Sequence, residues 1–103
     1  MPSSPESYQD IVIYVLEKLR PYLSEEEYDK IKKDMGEHIR KREERHLRSF
    51  IAVKVIDHLK DAEGVFEKKI EDEIPEKERR DFILEKIKEI FEDLRRLLEH
   101  RSL

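Results

Sequence analysis

The stretch Ser49-Phe-Ile-Ala-Val-Lys-Val-Ile-Asp-His-Leu-Lys-Asp-Ala62 carries apolar residues in nearly every direction around a helix, more so than any other part of the chain. Phe50, Val53 and Ile56 point one way, while Ile51, Val55, Leu59 and Ala62 cover most of the rest. A helix that is apolar almost all round is one that other elements surround. The segment therefore reads as the central helix of an all-α fold.

Towards the N-terminus, Tyr28, Ile31, Met35 and Ile39 form a narrow apolar seam whose direction is resumed by His46, Phe50 and Val53. That phase match, with no proline between 36 and 49, predicts one long helix from about 24 to 62, with a break between 36 and 49 as the alternative. Ser24-Glu-Glu-Glu27 is a capping box at its start, and Pro21 closes the helix before it. That first helix opens at Ser7 and Asp10, with Tyr8, Ile11, Val12, Val15, Leu16 and Leu19 on one face. Residues 1–6 contain Pro2 and Pro5, lack an apolar anchor and read as a disordered tail.

Towards the C-terminus, Gly64 reads as a helix cap, followed by a short helix with Phe66 and Ile70 up to Pro75. The final helix is strongly amphipathic, with Ile83, Ile87, Ile90, Leu94, Leu97 and Leu98 on one stripe. The whole is a small bundle of four helices forming a single domain over 7–101.

Composition agrees with this layout. Charged residues make up 47% of the 103-residue chain against 37% hydrophobic, with 2 Gly and 4 Pro. This balance favours helices bearing both charge signs, as in a thermostable protein or an engineered, de novo designed bundle with no natural function. The absence of cysteine excludes disulfides and thiolate chemistry and suits a cytoplasmic setting. The longest apolar run, Ile11 to Leu16, is far short of the roughly 20 residues of a membrane span, so no membrane association is expected. A net charge of -4 argues against general nucleic-acid affinity.

Three local features oppose this bland surface. Lys41, Arg45 and Arg48 share a helical face within the basic stripe 40–48, a pattern able to contact phosphates. Glu43 and His46 have the i, i+3 spacing by which a helix gives a carboxylate and an imidazole to a bundle metal site. No second Glu-x-x-His completes that site. Arg40 and His46 also fit the Arg-x5-His spacing of a class of helical ribonucleases, a pattern too short to stand alone.

With no phosphate loop, nucleophile motif or complete metal site, no enzyme, cofactor or small-molecule substrate is inferred. The expected function is protein-protein association, most simply a homo-oligomer whose contact includes Ile31, Met35 and Ile39, because a long rod leaves that seam uncovered. A nucleic-acid-binding module using 40–48 and a metal site at Glu43 and His46 are the alternatives.

Overall fold

The first helix, α1 (Tyr8–Leu19), begins where the sequence offers its cap: the Asp10 amide donates to Ser7 Oγ at 3.2 Å. It ends in a 3-10 turn over Arg20–Tyr22, where Pro21 removes the next helical donor. Helix α2 (Glu25–Ser49) follows behind a reciprocal capping box. The Glu27 amide donates to Ser24 Oγ at 3.2 Å, and the Ser24 amide donates to Glu27 Oε1 at 2.9 Å. Helix α3 (Val55–Glu73) stops before Ile74 and Pro75, since a residue preceding proline is driven out of the helical region. Helix α4 (Lys77–Arg101) completes the bundle. The computed structural model describes residues 7–49 and 55–101.

All elements among the described residues are helical, as composition and periodicity predict. The expected rod from 24 to 62, however, is not how α2 and α3 are arranged. Lys30 Nζ meets Glu73 Oε2 at 3.1 Å, Lys69 meets Asp34 at 4.0 Å, and Arg42 meets Asp61 at 3.1 Å. In one straight helix Lys30 and Glu73 would stand about 65 Å apart. Each step forward on α2 is matched by a step back on α3, so the two helices are antiparallel. The physical reason is burial: folding back brings both apolar faces onto one core, whereas a rod leaves much of them in water.

No break falls between 36 and 49 either, since α2 passes through Gly36 and remains helical to Ser49. Gly64 is no cap. Helix α3 runs through it to Glu73, absorbing the separate short helix expected there, and neither glycine has a positive φ. Of the all-round apolar stretch, Leu59 and Ala62 are buried, while Phe50, Ile51 and Val53 and the side chains of Val55 and Ile56 lie outside the described residues.

The core is drawn from all four helices. Ile11, Val15 and Leu19 of α1 meet Ile31 and Met35 of α2, Phe66 and Ile70 of α3, and Ile83, Ile87, Phe91 and Leu94 of α4 in one cluster. Phe66 and Phe91 rings sit 6.2 Å apart at its centre. The starts of α2 and α4 are tied together by Arg79, whose guanidinium donates to both Glu27 oxygens, at 2.5 and 2.6 Å, and to the Tyr22 carbonyl at 3.1 Å. Chiefly through its hydrogen bonds from Arg79 the Glu27 carboxyl has its pKa lowered to about 2. Among the described residues, no helix is long and apolar enough to cross a membrane.

Candidate functional site

A polar junction forms where α1 begins against α2 and α3. Tyr8 directly follows the Ser7 cap, which points its ring away from solvent and onto the α2–α3 pair. Its hydroxyl donates to Asp61 Oδ2 at 3.0 Å and lies 3.0 Å from His38 Nε2. Asp61 also accepts from Arg42 Nη1 at 3.1 Å, and Arg42 Nη2 stands 2.5 Å from His58 Nδ1. Arginine can only donate, so His58 accepts at Nδ1 and carries its proton on Nε2. The Arg42 guanidinium carbon is 4.3 Å from the centre of the Tyr8 ring, a cation over an aromatic face. His58, although buried, is thus satisfied, and no buried side-chain donor or acceptor among the described residues lacks a partner. The junction pins three helices in one register.

Beside the junction, α2 and α3 leave a groove of about 520 Å³ lined by Asp34, Glu37, His38 and Lys41 on one wall and Lys60, Asp61, Gly64 and Lys68 on the other. Lys41 is exposed there. Its expected stripe partners Arg45 and Arg48 lie on α2, but their side chains are outside the described residues. Arg42, from the same basic run, turns inward to the junction instead. Glu43 is exposed on α2, and the side chain of His46 is also outside the described residues. No group of three or more His, Asp or Glu able to hold a metal occurs among the described residues.

The seam expected at an oligomer interface is covered by the chain itself. Ile31 and Met35 are 0% exposed, and Ile39 is half-buried against the core. With α3 folded back and α1 laid across α2, no second copy is needed to shield these side chains.

Apolar exposure lies elsewhere. Leu97, expected on the buried stripe of α4, is 40% exposed, and Phe82 is 51% exposed. The face of α4 that reaches the core is Ile83, Ile87, Phe91, Leu94 and Leu98. Phe82, Lys86, Ile90, Asp93 and Leu97 occupy a second stripe, about 80° wide at 100° per residue. At one end of it Phe82 meets the exposed Tyr22 ring edge-on at 5.7 Å, with Lys86 Nζ within 5.6 Å of both ring centres.

Sequence reasoning missed the junction. Tyr8 reads as one more core aromatic, and His58 and Asp61 are submerged in the most apolar stretch of the chain. The available signal was their i, i+3 spacing on α3, echoed by His38 and Arg42 at i, i+4 on α2. Compared with known proteins, the chain matches no family model, no curated protein and no solved structure.

Proposed function

We propose that the protein acts by self-association rather than catalysis, and that the exposed stripe of α4 is the contact surface. The observation that carries this reading is the symmetry of the stripe about the midpoint between Glu89 and Ile90. When two α4 helices cross antiparallel on a two-fold axis at that point, Phe82 faces Leu97 of the other copy and Lys86 faces its Asp93. Ile90 packs near the axis. An isologous contact requires this kind of self-complementarity, and the pairing of opposite charges sets the antiparallel sense.

The expected strength is modest. Phe82, Ile90 and Leu97 are already partly covered, so closing the remainder in both copies contributes roughly 6 to 8 kcal/mol, against an association cost of at least about 4. The dimer is therefore weak, with Kd of about 1 mM or higher, and forms where the protein is concentrated.

Sedimentation equilibrium tests this with two variants. Lys86→Asp and Asp93→Lys each place like charges opposite one another in their own dimer, so neither self-associates. Mixed together they pair opposite charges twice and form a heterodimer. Association of either variant alone at the wild-type level, or a mixture that stays monomeric, refutes the proposal.

A further inference from the structure

We propose that the groove between α2 and α3 binds the phosphodiester backbone of single-stranded nucleic acid, with Lys41, Lys60 and Lys68 as its phosphate contacts. The net charge of the chain is -4, yet this groove is locally basic. Of its acidic groups, Asp34 is paired with Lys69, and Asp61 is held by Arg42 and Tyr8. That leaves Lys41, Lys60 and Lys68 against Glu37 along the walls. Lys60 and Lys68 stand two turns apart on α3, about 12 Å, so they engage separate phosphates of a strand rather than one anion. Lys41 faces them from α2.

Gly64 lies midway between the two α3 lysines and lines the groove. Glycine inside a helix is about 1 kcal/mol less favourable than alanine. Nothing in the fold requires it here, because a Cβ added at Gly64 meets no atom within 4 Å and its φ is ordinary. What it does is leave the floor of the groove open between the lysines, where a strand backbone can approach the helix closely. The groove lining contains no Phe, Tyr or Trp ring on which successive bases could stack, so binding is weak, salt-dependent and indifferent to sequence.

The test is fluorescence anisotropy with a fluorescein-labelled oligodeoxythymidine 12-mer and the full chain. Three phosphate contacts predict that raising salt from about 50 to 200 mM weakens binding about twentyfold. Replacing Lys41, Lys60 and Lys68 together by Gln is expected to weaken it at least tenfold at low salt. Gly64→Leu places a side chain on the floor, where its Cβ meets no atom within 4 Å, and is expected to leave the helical circular dichroism and thermal midpoint intact or raised while binding falls. Lys86→Asp, on the far stripe of α4, is expected to bind as the wild type does, which keeps this site separate from self-association. Absence of binding, binding unchanged in the triple or Gly64→Leu variant, or capture of heparin but not the oligonucleotide overturns the proposal.

Discussion

Glu27→Gln isolates the strongest ion pair in the molecule. The variant keeps the carbonyl oxygen that accepts the Ser24 amide, so the helix cap survives, but it removes the charge that Arg79 grips with two hydrogen bonds. The Glu27 carboxyl sits at about 2, down from 4.5, mainly through its hydrogen bond with Arg79. Taken at face value that displacement is worth about 3 kcal/mol at neutral pH. The side chains of Arg79 and Glu27 are 34% and 20% exposed, and solvent screening reduces the expected contribution to about 1 to 2 kcal/mol.

Because the folded pKa is depressed, the contribution is fully present above about 4.5 and is lost as pH falls through about 2. Glu27→Gln should therefore unfold about 1 to 2 kcal/mol more easily than the wild type at pH 7, and the gap should close near pH 2. Urea titrations followed at 222 nm across that range measure it directly. A gap of the same size at both ends, or none at pH 7, would mean that the pair tying α2 to α4 does not act through charge.

Tyr8→Phe removes the hydroxyl shared by His38 and Asp61 while keeping the ring under Arg42, and should cost about 1 to 2 kcal/mol in a denaturant titration. No loss would show that the junction contributes register without stability. Phe66→Ala empties the centre of the core beside Phe91 and should cost about 3 to 5 kcal/mol, a large part of the stability of a domain of this size. A thermal midpoint within a few degrees of wild type would refute the placement of Phe66 at the core's centre.

Local chemistry made much of this fold readable. Ser7, Pro21, the Ser24–Glu27 box and Pro75 act through atoms a few residues away, and the helix ends they imply are found there. Apolar periodicity likewise picked out Ile11, Val15, Ile31, Met35, Phe66, Ile83 and Leu94, all of them buried. Periodicity reports which face of a helix is apolar, and nothing about what covers it. The seam of Ile31 and Met35 therefore reads equally well as a dimer contact or as core, and only the antiparallel return of α3 decides for core. The reversal itself was hidden because the apolar phase continues past Ser49, while the gain that drives it comes from surfaces meeting far apart in sequence. The junction and the separate Arg79–Glu27 pair are of the same kind: Tyr8 reaches His38 and Asp61, and Arg79 reaches Glu27, across separations at which spacing carries no signal. Those contacts exist because the collapsed core places three helix faces side by side, and polar groups caught there must find partners or remain outside.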